Sequence, residues 1–358
     1  MQFLNAAETI KRDFFQELLN ASDGKATSLR FIKHELHSEK LISDGEIFQV
    51  FVVGGTVFRK ALLKKDREQF IILDDFSEEH PSLTSKEMFL EYISKHLYPN
   101  SDTAVINFAF PLEPQAREGR LDGKLLTETK ETPFKGLMGE FIGLSIEQYA
   151  YLQLRRTINV HVINDAICLF LSETNKTHLD FTAGAIIGTG TNISFSHHGF
   201  AVNLESGGFN KFTPSSECLE IDKKSDQKGV SLFEKETAGG YLYKHFNYYL
   251  DKSQLTHKPI SSTKELQAIA LDNKNPRAQI LASSLLEKSA AYFAGLIAGL
   301  TAFKNHNMTF IIEGSMYWEN DLYRKFVDDY LDKLSPDLKI KIIKVDNSPI
   351  IGAARLIA

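Results

Sequence analysis

Residues 183–204 read AGAIIGTGTNISFSHHGFAVNL, and the periods in this run decide the fold class. A β-rich segment over 183–187 ends at Gly188-Thr189-Gly190-Thr191, and return segments follow over 192–196 and 201–204, the pattern of an antiparallel meander with a glycine turn. The same layout occurs earlier in the chain. IFQVFVV over 47–53 leads into Gly54-Gly55-Thr56, then VFRKALL over 57–63 and EQFIIL over 68–73. Between the two meanders, 103–108 reads as a strand. Residues 145–156 read as a helix opened by Ser145 and Gln148 at capping-box spacing, and 157–163 (TINVHVI) as another strand. That strand stops at Asn164-Asp165, where the apolar segment 166–171 begins a new element. A carboxylate at such a junction sits at the carboxyl edge of a sheet, where ligands of open α/β sheets gather.

After Gly229 helical periods dominate, over 230–250, 263–271 and 279–303. A strand at 309–312 runs into Glu313-Gly314-Ser315, a helix follows over 322–333, a strand over 339–345, and a small-residue helix start lies at Gly352-Ala353-Ala354. The fold class is α/β.

The 358 residues carry 41 Lys plus Arg against 46 Asp plus Glu, a net charge of −5, which argues against nucleic acid as a partner. At 43% hydrophobic and 24% charged the chain belongs to the globular class, and its length favours two domains with a cleft. Cys168 and Cys218 form no CxxC motif, which removes disulfide scaffolds and structural zinc and fits a reducing, cytoplasmic setting. Glu8, Lys11, Arg12 and Asp13 interrupt the N-terminal amphipathic pattern, unlike a secretory signal. The apolar window 290–303, between Lys288 and Lys304, is shorter than the ~20 residues of a bilayer span and reads as a buried helix, so no membrane partner is expected. The pairs His34/His37 and His197/His198 lack a converging third ligand and read as ordinary histidines.

Glycine turns let backbone N–H groups approach an anion, and a neighbouring Thr hydroxyl adds a donor. Singly, the turns at Gly54-Gly55-Thr56 and Gly188-Thr189-Gly190 read more readily as plain hairpins; facing each other they would hold a polyphosphate. No Walker loop occurs, and GTGTN lacks the third glycine and following helix of a dinucleotide site. Asp165 can accept the proton of an alcohol that attacks phosphorus, with helix capping as the competing role. Asn164, Glu205 and Glu234 are of the amide and carboxylate types that bind sugar hydroxyls.

In this order the pieces resemble the hexokinase family. The segment Ser28-Leu29-Arg30-Phe31 looks like its helix-to-linker segment. Gly54-Gly55-Thr56-Val57-Phe58-Arg59 is similar to its first phosphate loop, LGGTNFR, and Phe108-Ala109-Phe110-Pro111 to its FSFP sugar segment. Thr129-Lys130 resembles the TK pair that contacts sugar and transferred phosphate. Val162-Ile163-Asn164-Asp165 resembles VVND, whose aspartate is the family's base, and 188–192 resembles GTGTN, its second phosphate loop. Asn203-Leu204-Glu205 and Phe233-Glu234-Lys235 resemble NTE and FEK, whose glutamates contact sugar. Glu313-Gly314-Ser315 looks like the DGS adenosine element, and Ser348 with Gly352-Ala353-Ala354 like the closing SxxxGAA.

The resemblance implies two actin-like (ribonuclease H-like) domains with a central cleft: a small one over 45–163, a large one over 1–44 and 164–345, and a C-terminal helix, 346–358, that can pack on the small one. It implies ATP and Mg2+ as cofactors and a glucose-like hexose as substrate. Asp165 and Lys130 would carry the chemistry, and no side chain is assigned as a direct metal ligand. Thr129, Lys130, Asn164, Asp165, Asn192, Glu205 and Glu234 would hold the sugar. Gly54, Gly55, Thr56, Arg59, Gly188, Thr189, Gly190, Gly314, Ser315 and Ser348 would hold the nucleotide. The sequence departs from the family at Val52, where a metal-orienting aspartate is usual, and at Val57, Ala109 and Glu128. Val52 motivates an alternative, a sugar-binding sensor with impaired catalysis. The zinc-containing bacterial sugar kinases are disfavoured, because two cysteines cannot supply their metal motif.

Overall fold

The computed structural model describes residues 1–36, 41–54, 57–79, 81–126, 134–173, 176–253 and 257–358. In chain order the strands are β1 Ile32–Glu35, β2 Ile47–Val53, β3 Val57–Asp66, β4 Gln69–Glu79, β5 Thr103–Phe108, β6 Leu112–Arg117, β7 Arg120–Leu125, β8 Asn159–Asn164, β9 Thr182–Ile187, β10 Thr191–His197, β11 Phe200–Asn203, β12 Met308–Glu313 and β13 Ile340–Ile343. The chain divides into two compact units. One comprises Met1–Phe31, Phe181–Ile193 and Leu204–Lys344, the other Ile32–Asp180, Ser194–Asn203 and Val345–Ala358.

The second unit is built on a sheet of order β4-β3-β2-β5-β8, antiparallel across the first three strands and parallel from β2 through β5 to β8. Because side chains alternate along a strand, β2 feeds two cores. Phe51 and Val53 join Phe58, Phe89, Phe108, Ile146 and Val160 on the side of helices Lys86–Lys95 and Ile142–Leu154. Phe48 and Val50 join Ile163, Ile167, Ile350 and Ala353 on the side of helices Asp165–Ser172 and Ser348–Arg355. The C-terminal segment therefore belongs to this unit, and so does Asp165.

The first unit holds the parallel ladder β9, β12 and β13 and most of the helices. Helix Pro276–Lys304 is its centre, flanked by Leu4–Ser22, Thr263–Leu271 and Asp321–Leu334. By length and composition this helix could cross a membrane, yet 67% of its most apolar window is buried inside the protein, as expected for a core helix.

Two expected helices change. The one expected over 145–156 begins at Ile142, so Ser145 lies inside the first turn and donates its N–H to Phe141 O; the buried Ile142 and Ile146 set the start, not the Ser145/Gln148 pair. The pattern over 230–250 splits into Leu232–Thr237 and Gly239–Ser253.

His34 on β1 is 3% exposed, and its Nε2 has no hydrogen-bond partner among the described residues. Burial pushes its pKa down from 6.5 to about 4. The unfolded chain therefore binds this proton more readily. Stability is complete above pH 6.5 and falls as pH drops toward 4, by about 3 kcal/mol at ~1.4 kcal/mol per decade. A His34→Leu variant should show a correspondingly flatter melting curve between pH 6.5 and 4. Parallel curves for variant and parent would remove His34 as the cause.

Candidate active site

In the first unit the turn between β9 and β10 is closed by Gly188 N–H donating to Gly190 O at 3.0 Å. The turn's carbonyls face a helix start: Gly239 N–H donates to Gly188 O at 2.7 Å and Gly240 N–H to Thr189 O at 3.2 Å. The first N–H groups of a helix have no partner within it, and here the turn supplies one. The contact is backbone on backbone, since a Cβ on Gly240 would stand 2.7 Å from Thr189 O. This docking breaks the helix expected over 230–250.

The parallel ladder brings a further glycine to the turn. Gly314, just past β12, has φ +129°, and a Cβ there would lie 1.9 Å from Ile187 O. Glycine is required at this position. Gly188 in turn lies against Gly314, and Ser315 opens the short helix Ser315–Trp318.

Glu234, half-buried on helix Leu232–Thr237, accepts the Thr191 N–H at Oε2, 3.1 Å, with that oxygen 2.5 Å from where a Cβ on Gly190 would be. Asn192 Oδ1 accepts the N–H groups of Ile193 at 2.8 Å and Ser206 at 3.2 Å. Ser206 follows Glu205, whose left-handed backbone (φ 50°) costs a non-glycine residue about 1 kcal/mol. Gly207 completes the group, its missing Cβ position 3.1 Å from Glu234 Cβ. Asn192, Glu205 and Glu234 are thus tied to one turn, and two carboxylates with an amide give a set suited to several hydroxyls.

In the second unit, Asn164 ends β8 and caps helix Asp165–Ser172, its Oδ1 accepting from Ala166 N–H at 3.0 Å. Its Nδ2 donates to Phe108 O and Phe110 O, each at 3.4 Å, tying β8 to the segment after β5. The capping role considered for Asp165 therefore falls to its neighbour. Asp165 occupies the first helical position, half-buried, and its Oδ1 also accepts from Ala166 N–H, at 2.8 Å. A carboxylate there is favoured by the helix dipole.

Arg59 on β3 forms a forked pair with Asp75 on β4, with Nε at 2.8 Å from Oδ1, and donates from Nη2 to Asn347 Oδ1 at 2.7 Å. The Arg59 hydrogen bond holds the Asp75 carboxyl below its ordinary pKa. Asn347 precedes the buried Ser348 at the start of helix Ser348–Arg355, so Arg59 and Ser348 are neighbours through it. Gly54 N–H donates to Val57 O at 3.1 Å. Val52 pairs across the sheet with Arg59 on one side and Asn107 on the other. Asn107 is 1% exposed, donates from Nδ2 to Pro349 O at 3.0 Å, and its Oδ1 has no partner among the described residues. Gly55, Thr56, Thr129 and Lys130 lie outside the described residues.

Sequence reasoning passed over Gly239-Gly240, Asp75 and Asn347. Only the double glycine left a signal, as an improbable pair inside a helical period.

No family model matches the chain. Among curated sequences, "Hexokinase" of Toxoplasma gondii is 25% identical over 195 residues, 43% of this chain and 42% of that protein. "Hexokinase-1" of Spinacia oleracea is 25% identical over 262 residues, 62% and 51% respectively. The chain thus spans about half the length of the curated relatives it matches. Among solved structures, the hexokinase from Schistosoma mansoni complexed with glucose superposes with a TM-score of 0.82 over 99% of this chain and 95% of that one, at 16% identity.

The fold is that of a hexokinase. The two curated relatives carry the hexokinase name, and solved hexokinase structures share this fold over nearly the whole chain. A ROK family glucokinase from Streptomyces griseus, in complex with glucose and AMPPNP, aligns less closely, with a TM-score of 0.60 over 87% of this chain and 98% of that one at 16% identity. The hexokinase architecture accounts for β2, β5 and β8 running parallel toward Asn164-Asp165, and for β9 and β12 running parallel toward Gly188 and Gly314.

Proposed function

We propose that the chain is an ATP-dependent hexose kinase acting on the 6-hydroxyl of a glucose-like sugar. The observation that carries this reading is the tie of Asn192, Glu205 and Glu234 to the turn at Gly188-Thr189-Gly190, in a chain of hexokinase fold. Glucose in one structural neighbour, and glucose with AMPPNP in another, support the choice of substrates.

In this reading Asn164, Asn192, Glu205 and Glu234, with Thr129 and Lys130, hold the sugar. Asp165 takes the proton of the 6-hydroxyl as that oxygen attacks the γ-phosphorus, and ADP departs with the bonding electrons. Lys130 offsets charge on the transferred group. Gly54, Gly55, Thr56, Arg59, Gly188, Thr189, Gly190, Gly314, Ser315 and Ser348 receive the nucleotide. A magnesium ion would neutralise the phosphates when bound. The donor set partly fits it: Asp165 offers a carboxylate to its hydration shell, Val52 offers no oxygen, and Asn107 on the next strand carries an unpartnered one. The net charge of −5 speaks against a nucleic-acid partner and the buried apolar helix against a membrane one, while two cysteines without a CxxC motif fit a reducing, cytoplasmic setting.

The test is ADP release with glucose, mannose and fructose under saturating Mg-ATP. Sugar-dependent release is expected. Its absence, together with a sugar-induced rise in melting temperature, would overturn the kinase in favour of the sensor that Val52 motivates. A Val52→Asp variant should raise kcat, by about tenfold for each ~1.4 kcal/mol of added charge stabilisation at the metal and phosphates. Unchanged kinetics would mean that the metal environment is already complete.

A further inference from the structure

Helix Leu232–Thr237 has six residues, too few to hold itself, so its neighbours decide where Glu234 lies. Its buried side is anchored by charge. Glu236 is 1% exposed; Oε2 accepts from the Ser215 backbone N–H at 2.8 Å and hydroxyl at 3.0 Å, and Oε1 stands 2.5 Å from Lys288 Nζ. The same ammonium stands 2.8 Å from Glu217 Oε1. His245 closes the cluster, with Nε2 donating to Lys235 O at 2.8 Å and Nδ1 3.9 Å from Glu217 Oε1. Helix Pro276–Lys304, which supplies Lys288, grips the short helix again through Ser289 Oγ, donating to Thr237 O at 2.6 Å.

Ligand atoms of Glu217, Glu236 and His245 all lie within 4.8 Å of one another, a spacing that a metal ion can bridge. Here the lysine provides the cation. Burial disfavours charge on both sides of the pair, yet the attraction prevails: His245 and Lys288 hold the Glu217 carboxyl far below its ordinary pKa, and Glu236 and Glu217 raise that of Lys288. Removing one partner from such a pair leaves an uncompensated buried charge.

We propose that Lys288 is a positioning residue for the hexose site: as a fixed internal cation it draws Glu217 and Glu236 together, and thereby sets where Glu234 lies against Gly190. This rests on the reading of Glu234 as a sugar ligand. A general core ion pair would affect every property of the protein through its stability. A positioning residue affects the sugar selectively.

The experiment compares Lys288→Met, Lys288→Arg and Glu236→Gln in the full chain, reading the glucose Kd by calorimetry, KM and kcat for each substrate, and melting temperature. With Lys288→Met the glucose KM and Kd should rise together by about tenfold, while the ATP KM and kcat stay within about threefold. Glu236→Gln, which keeps an acceptor for Ser215 but drops the charge, should give a smaller rise of the same kind. Lys288→Arg should restore most of the affinity. Unchanged glucose binding in folded Lys288→Met or Glu236→Gln protein, or equal losses for both substrates, overturns the proposal. Should Lys288→Met not fold, Glu236→Gln carries the same criteria. A parent protein that neither binds nor phosphorylates hexose overturns the kinase reading and this role with it. An active parent with indifferent variants overturns only the role of Lys288.

Discussion

An Asp165→Ala variant is expected to release ADP with glucose roughly 10³-fold more slowly than the parent, about 4 kcal/mol of lost transition-state stabilisation, with the glucose Kd nearly unchanged. The local geometry makes the test clean. Ala166 N–H is accepted by Asn164 Oδ1 as well as by Asp165 Oδ1, so removing the Asp165 carboxylate leaves helix Asp165–Ser172 with its cap. A loss of rate therefore reports on chemistry and not on a frayed helix. Asp165→Asn is the stricter companion, because it keeps the shape and a hydrogen-bond acceptor while removing the basic oxygen. A rate within about tenfold of the parent for either variant would remove the base assignment.

The second large effect is expected on stability, at Gly352. Helices Ser348–Arg355 and Asp165–Ser172 touch at their backbones, and a Cβ on Gly352 would stand 1.7 Å from Cys168 O and 2.4 Å from its carbonyl carbon. Backbone cannot swing aside as a flexible side chain can. The helices must separate, which opens the packing of Ile167, Phe170, Ile350 and Ala353. Overpacking of this kind costs about 3 kcal/mol, and the melting temperature of Gly352→Ala should fall by roughly 5 °C. The sign is diagnostic. An exposed helical Gly→Ala change stabilises by about 1 kcal/mol, so an unchanged or higher melting temperature would show that the two helices are not in the contact described. Because Asp165 begins one of these helices, activity should fall with stability.

The meander over β2, β3 and β4 was legible because a continuous β-rich run followed by β-rich return segments is a local signal, and the strand ending at Asn164 was legible for the same reason. Boundaries were less so. Strands β3 and β4 run to Asp66 and Glu79, beyond the apolar periods, because backbone pairing with a neighbouring strand sustains them where side-chain hydrophobicity gives out. Ser145 resembled a helix start by type, but two buried isoleucines on either side of it moved the start to Ile142. Asp165 was recognised as the residue at a strand-to-helix junction; that Asn164 would relieve it of capping depends on which side chain reaches Ala166 N–H.

The sequence by itself determined the α/β class, the glycine turn between β9 and β10, and the departure at Val52. Each of these is written in residue type and short spacing. Only the tertiary structure decided that Gly239-Gly240 would dock on the second turn, that Gly314 would press against Ile187, that Arg59 would engage Asp75 and Asn347, and that Lys288 would lie between two buried glutamates. Those pairings join residues far apart in the chain. They form because parallel strands and packed helices bring distant backbone into contact, where a missing Cβ or a compensating charge is the difference between a tolerated neighbour and an excluded one.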